Sequence, residues 1–404
     1  MQRWVFALLA APACWCQSDT LSRREAVAEA VSAHPVLQAA AGRIAMNEGF
    51  RTQAGLGPNP RFYFQHENLR GYSGRPQGYW ALTDTFLYLQ QTLETAGKRD
   101  HRVEVAAQNV RLAGYERDLA RKQLAGRVSL AYWTAAGALR RVSLYQDALD
   151  NIGRMVEYHQ IRVREGAIAE ADLIRVRLEQ QRLKIGVNQA RLEAERARIQ
   201  LLREMGRREF GPVALTDRVE AGGGTAPDVA RALEDRAEMQ IARTAMEHAR
   251  SNERLQAAYA KPNVDVLFGY KRTNGINTML GGVQVDVPFR NKNEGNIEAA
   301  RAELRVAEAN LAATEALIRA EVEAARTEYD VRASEVTQLL EPLRAQANET
   351  FRIADAAYRV GGTDLLRLLD AQRVQIEAEI AVAEGLAALR RSEAALETAM
   401  GVEP

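Results

Sequence analysis

Read against itself, the chain states one plan twice, and a repeat constrains a fold more than any local propensity because each copy must build the same units in the same order. His34-Pro35-Val36-Leu37-Gln38 aligns with Arg236-Ala237-Glu238-Met239-Gln240. Asn59-Pro60-Arg61-Phe62-Tyr63-Phe64 aligns with Lys261-Pro262-Asn263-Val264-Asp265-Val266 at the same separation. Identity is low, so the constant spacing carries the match. Met205-Gly206 closes the first copy as Met400-Gly401 closes the second. Each copy reads as helix, two strands, long helix, turn and returning helix. The first repeat covers residues 17–210, with a β-hairpin over 61–93 and a helical hairpin over 98–206. The second covers 228–404, with a β-hairpin over 263–289 and a helical hairpin over 295–401. Between them 211–227, with Gly211-Pro212 and Gly222-Gly223-Gly224, reads as irregular linker.

From Lys98 to Glu165, and again from Asn296 to Val360, turn signals are missing apart from Pro342 and single glycines. A helix of that length spans about 100 Å, too long for a small domain. Apolar residues follow a heptad seam through Ile297, Ala300, Leu304, Ala307, Leu311, Thr314 and Ile318. Val103, Ala106, Val110, Ala113, Arg117, Ala120 and Leu124 are its counterpart in the first repeat. Alanines in the seam favour close approach, and the narrow stripe leaves the other faces to Arg and Glu. Reversal is expected at Gly166 and at Gly361-Gly362. The returning arms come back short, and the N-terminal helices, Ser22 to Gly55 and Asp228 to Lys261, are expected to stack end to end on them.

In the second hairpin Val264, Val266, Phe268 and Tyr270 alternate with Asn263, Asp265, Leu267 and Gly269, followed by a turn at Asn274-Gly275. On the return, Met279, Val283, Val285, Val287 and Phe289 face one way, and Thr278, Gly282, Gln284 and Asp286 the other. This is the pattern of a barrel wall with lipid outside and water inside, although a soluble sandwich alternates in the same way. Arg61 to Leu69 and Tyr79 to Leu93 supply the first hairpin around Gly71, Gly74 and Gly78, with Tyr72, Tyr79, Trp80 and Tyr88 as interface aromatics. Four strands cannot close on themselves, and an open edge in lipid leaves backbone groups unpaired. Two copies give a filled barrel of eight strands, whereas three give twelve and an aqueous bore.

At 404 residues with 6% aromatics, the chain is poor in the residues that fill one globular core. Lysine plus arginine (54) nearly balances aspartate plus glutamate (53), so there is no basic footprint for nucleic acid. Residues 1–16, with Arg3, the apolar run from Trp4 to Ala11 and the small-residue segment before Cys14, read as a signal peptide. Cys14 is also a candidate for lipid attachment. With Cys16 it completes the cysteines, so the exported part carries no disulfide framework. No later apolar run approaches the ~18 residues of a spanning helix, so any crossing must be by β-strands.

The histidines are scattered without metal-site spacing, and Met239, Met246 and His248 read as helix-seam residues before they read as a soft-metal path. Nothing resembles a nucleophilic triad or a phosphate loop, so neither an enzyme nor a cofactor or resident metal is expected.

The order of elements, the Ala-rich helices and the prolines opening strands at Pro60 and Pro262 resemble TolC-family outer-membrane efflux proteins over nearly the whole chain. So does the turn Tyr358-Arg359-Val360-Gly361-Gly362-Thr363-Asp364-Leu365-Leu366-Arg367-Leu368-Leu369-Asp370-Ala371. Gln91-Thr92-Leu93-Glu94-Thr95-Ala96-Gly97-Lys98-Arg99 further resembles the strand-to-helix junction of the heavy-metal, CzcC-like branch, where a Gly-Lys-Arg step is common. The resemblance implies a mainly α chain forming a homotrimer, with a twelve-stranded barrel in outer-membrane lipid and an α-helical tunnel in the periplasm. It also implies a passive duct for heavy-metal cations, joined to a periplasmic adaptor (membrane fusion protein) and an inner-membrane RND transporter. A multidrug duct of the same family, or a periplasmic coiled-coil scaffold, are the alternatives. In TolC the tunnel narrows at a ring of two aspartates just after the second helix turn. Asp370 matches the second, while the first falls at Arg367. Asp364, Arg367 and Asp370 are therefore expected near the periplasmic entrance, against the plainer reading of solvated residues with Asp364 as a helix cap.

Overall fold

The computed structural model describes residues 19–69, 83–222 and 228–403. The expected signal peptide with Cys14, the loop glycines Gly71, Gly74 and Gly78, and Tyr72, Tyr79 and Trp80 lie outside the described residues. In the first repeat the elements are β1 (Asp19–Leu21), α1 (Arg23–Ala33), α2 (Pro35–Ala54), β2 (Arg61–Glu67), β3 (Asp84–Leu93), α3 (Lys98–Arg164) and α4 (Glu170–Glu204). Then come β4 (Val213–Leu215), α5 (Val229–Asp235), α6 (Ala237–Tyr259), β5 (Val264–Thr273), β6 (Ile276–Val285) and α7 (Glu294–Ser334). A widened π turn (Glu335–Leu340), α8 (Glu341–Arg359) and α9 (Leu365–Ala399) complete the chain.

The plan of two repeats holds, with local differences. Each N-terminal helix is two helices. His34 precedes proline and so is pushed out of the helical region, to ψ 132, and Pro35 then starts α2 at a position where its missing N–H costs nothing. Arg236 breaks α5 from α6 at the equivalent place without a proline, at ψ 130, its guanidinium held by Glu238 (2.6 Å) and Glu321. α3 runs unbroken for 67 residues. Its counterpart widens into the π turn just before Pro342, because proline offers no N–H to the preceding turn and the chain must be rerouted around its ring.

Ala300, Ala307 and Ile318 are buried along α7, and Ala106, Ala113 and Leu124 along α3, while Arg117 is exposed. The narrow stripe does not persist. From Leu124 to Ala136 α3 is buried almost all round, because α1, α4 and α9 pack on it together. Gly137 permits that approach, since a Cβ there would lie 2.6 Å from Ala387 Cβ. The buried residues keep the spacing of the seam, Val128 with Val322 included, while the left-handed helix starts, Gly97 (φ 66) and Asn293 (φ 59), stand two residues out of step with it.

The segment between the repeats is not irregular throughout: β4 pairs in parallel with β1, Leu21 opposite Leu215. Beneath this small sheet Tyr132 is fully buried. Its hydroxyl donates to Leu21 O (3.0 Å) and accepts from Asp217 N (3.1 Å), and burial pushes its pKa up to about 12. The returning arms do meet the N-terminal helices at their ends: Gly206 (φ 78) abuts His34 and Gly401 (φ 73) abuts Arg236.

Candidate functional site: an open sheet and paired helix tips

The larger sheet has the order β2-β3-β5-β6, antiparallel throughout, and among the described residues both outer strands have a free edge. Directly paired residues share a face. Phe62, Leu89 and Phe268 form one cross-strand row, Phe64, Leu87, Tyr270 and Met279 the next, and Leu93, Val264 and Val285 a third. Among the described residues nothing covers this apolar face: Phe64 is 65% exposed, Phe268 63% and Val283 68%. On the opposite face stand Arg61, Gln65, Glu67, Asp265, Lys271 and Gln284. There Tyr63 stacks on Tyr88 at 4.8 Å and Thr92 bonds Asp265 at 2.5 Å. Val264, Val266, Phe268, Val283 and Val285 thus lie together on the apolar face, whereas Tyr88 lies on the polar one. Val287 falls beyond the end of β6.

At the strand-to-helix junction, Gly97 takes the left-handed turn and the buried Lys98 reaches across to the second repeat. Its Nζ donates to Lys261 O (2.6 Å) and Asn263 Oδ1 (2.5 Å). Glu94 and Arg102 pair beside it, Nη2 to Oε2 at 2.9 Å. This gives Gly97 and Lys98 a physical role: they lock the two hairpins together where the sheet ends.

The helical hairpins turn by one device. After Arg164 the chain passes through Gly166 (φ 71), and Ala167 N reaches back to Arg162 O at 2.9 Å. After Arg359 it passes through Gly361 (φ 75), and Gly362 N reaches Ala357 O at 2.8 Å. Both are left-handed C-caps for which glycine carries no steric cost. Asp364 caps α9, accepting from Arg367 N at 2.9 Å, so the plain cap reading of that residue is met. Arg367 and Asp370 are exposed on α9 and line a shallow groove with Arg175 and Glu179 of α4. Arg373 and Glu179 span it at 3.5 Å.

Between the tips lies a contact that sequence reasoning missed. His159 of α3 is fully buried, its Nδ1 2.8 Å from Met155 O and its Nε2 2.8 Å from the Tyr358 hydroxyl of α8. The rings stack at 6.0 Å, and burial raises the Tyr358 pKa. Tyr358 stood in the turn sequence, but nothing local announces a partner nearly half the chain away. Met239, weighed as part of a metal path, is buried against Ile318, Val322 and Leu396.

α4 carries an outward ridge of Ile174, Leu178, Ile185, Leu192 and Ile199, all exposed. Matched through Gly166 with Gly361 and Gly206 with Gly401, Ile174, Leu192 and Ile199 correspond to Leu369, Ala387 and Ala394. Those are buried, because α9 packs on α3.

Among the described residues no helix is long and apolar enough to cross a membrane. The apolar surface sits on the sheet, and long helical hairpins run on from it. A duplicated chain with a four-stranded open sheet of this kind is the subunit of an outer-membrane channel. The chain belongs to the outer membrane efflux protein family, which matches residues 26–207 and 229–402. It is 23% identical over 354 residues to the cobalt-zinc-cadmium resistance protein CzcC of Cupriavidus metallidurans, covering 85% of this chain and 81% of that one. The fold is that of CusC (TM-score 0.79, 16% identity, 94% of this chain and 92% of that one). It is also that of the outer membrane protein VceC of Vibrio cholerae (TM-score 0.74, 19% identity, 94% and 96%).

Proposed function

We propose that three copies close the sheet into a twelve-stranded barrel in the outer membrane and that the helical hairpins continue its bore into the periplasm. The protein then serves as the passive exit duct of a tripartite pump for heavy-metal cations. The observation that carries this reading is the uncovered apolar face on a sheet with two free edges. In lipid such edges need strand partners, and a chain with four strands finds them in its own copies. The α4 ridge supports the same assembly, since its counterpart on α9 is covered by a neighbouring helix. The repeats over 17–210 and 228–404 then act as six alternating units around the bore.

The metal assignment rests on the likeness to the cobalt-zinc-cadmium resistance protein and on the Gly97-Lys98-Arg99 junction. Energy and solute choice lie with an inner-membrane RND transporter and a periplasmic adaptor. We place Asp364, Arg367 and Asp370 at the periplasmic entrance, where threefold repetition multiplies each charge. The test is deletion of the gene followed by challenge with cobalt, zinc, cadmium, nickel, copper and a panel of organic drugs. Sensitivity to metals, restored by the gene, is expected. Sensitivity to drugs alone would overturn the metal assignment, and purified protein with no ion conductance in planar bilayers would overturn the duct.

A further inference from the structure

The two free edges of the sheet are repeat-related copies of two edges already joined inside the chain, so the missing contact can be read from the one present. Pro60 aligned with Pro262 carries Phe62 onto Val264. Phe62 stands opposite Leu89 and Val264 opposite Val285, so Leu89 maps onto Val285. Carried forward residue by residue, that mapping brings Gly97 onto Asn293, the two left-handed helix starts. Strand register and helix caps thus give the same correspondence independently.

Within the chain, Leu93 pairs with Val264 and Gln91 with Val266. We propose that between copies β6 pairs antiparallel with β2 of the partner subunit in the equivalent register. Phe289 then stands opposite Phe62 of the partner subunit, and Val287 opposite Phe64 of the partner subunit. The proposal deepens the trimer reading and rests on it.

Three observations support this register. β3 continues to Leu93 because β5 pairs with it there, while β6 stops at Val285 with Val287 and Phe289 76% and 75% exposed. A neighbour at that edge extends the strand over residues 286–289 and covers those side chains. Phe62 and Phe64 fall on the apolar face and Val287 and Phe289 continue the sequence alternation of Val283 and Val285, so a slip of one residue would set apolar against polar side chains along the whole edge. In the single chain Phe289 N is bonded to Val287 O at 2.9 Å around Pro288, and that turn opens as the strand extends. Finally, the inner junction is tied by Lys98 on Lys261 O and Asn263 Oδ1. Its image between copies sets Glu294 against Asn59 and Arg61 of the partner subunit. Glu294 and Arg61 are exposed and opposite in charge, and neither makes an ion pair among the described residues. The lysine lock inside the chain thus becomes a glutamate–arginine lock between chains.

Cysteine pairs read the register directly, because both native cysteines precede residue 17. Cα atoms directly opposite in an antiparallel pair lie about 4.5–5.5 Å apart, within disulfide reach, while diagonal neighbours are roughly 7–8 Å apart. Oxidised outer-membrane fractions carrying Phe64→Cys with Val287→Cys should give a dimer and trimer ladder on non-reducing gels. Phe64→Cys with Val285→Cys, or with Phe289→Cys, should cross-link at least about fivefold less. Stronger cross-linking of either slipped pair overturns the register. A protein that is trimeric by mass but cross-links through none of the pairs overturns the edge pairing and leaves the trimer standing, whereas a monomer overturns both. As a second readout, Glu294→Arg and Arg61→Glu should each lower the temperature at which the detergent-extracted trimer dissociates, and the double variant should restore it. Absence of that rescue removes the charge lock.

Discussion

Tyr132→Phe isolates one hydroxyl in the middle of the molecule, and the structure sets the size of its effect. That hydroxyl donates to Leu21 O and accepts from Asp217 N, thereby fastening the small β1–β4 sheet to α3. Leu21 O also accepts from Thr216 N at 3.1 Å, so it stays satisfied and the loss there is one net hydrogen bond, about 1 kcal/mol. The Asp217 N–H has no second acceptor among the described residues, and leaving it unmade costs about 1–2 kcal/mol. The expected destabilisation is therefore about 2–3 kcal/mol at neutral pH.

The pH dependence separates this account from generic loss of packing. Burial pushes the phenol up to about 12, whereas in the unfolded chain it ionises near 10. A group whose folded value is raised contributes stability fully below the unfolded value and loses it as pH rises toward the folded one. Wild type therefore loses up to about 2.7 kcal/mol between about pH 10 and 12, a loss Tyr132→Phe does not share. Denaturant melts of the detergent-purified protein, followed by near-UV dichroism from pH 8 to 11.5, should show the two curves far apart at pH 8 and converging above 10. A constant gap, or none at pH 8, would refute the reasoning.

Three further substitutions test the sheet and the tips. Val266→Arg should impair membrane assembly at a cost of about 2–4 kcal/mol if the apolar face meets lipid near midplane, and Asp265→Asn on the other face should not. Heat-resistant oligomer in outer-membrane fractions is the measure, and normal assembly of Val266→Arg would reverse the facing. Tyr358→Phe removes the bond to His159 and should loosen the join between hairpins by about 1 kcal/mol, roughly a fivefold rise in the open-to-closed ratio. Single-channel recordings at unchanged open probability would show that this bond does not hold the tips closed.

Much of the architecture was legible because its signals are local and stated twice. Alternation over Val264–Tyr270, glycines at the helix turns and the absence of breakers between Lys98 and Glu165 each act within a few residues of where they are written. Pro35 should have divided the first helix, since the residue before a proline is barred from helical geometry. Arg236 does the same work through ion pairs that only the folded chain brings together. Pro342 was visible, but how a long helix absorbs a proline depends on which face must remain packed, and here Val336 stays buried. Tyr132 with Asp217 and His159 with Tyr358 escaped notice because each contact joins distant segments. A lone tyrosine or histidine in a long helix looks the same whether buried or bare.

The ridge on α4 has a consequence for the life of the protein before it reaches its working form. Until a neighbour arrives, Leu178, Ile185 and Leu192 are wetted, and so is one whole side of the sheet. If the copies assemble as proposed, a newly exported chain is until then open to proteolysis and to aggregation. Its rescue is encounter with a sibling, a rate that climbs with the square of abundance, whereas destruction climbs only in proportion. Scarce synthesis then yields disproportionately few finished channels, and the cell's supply of them responds to induction more steeply than the transcript does.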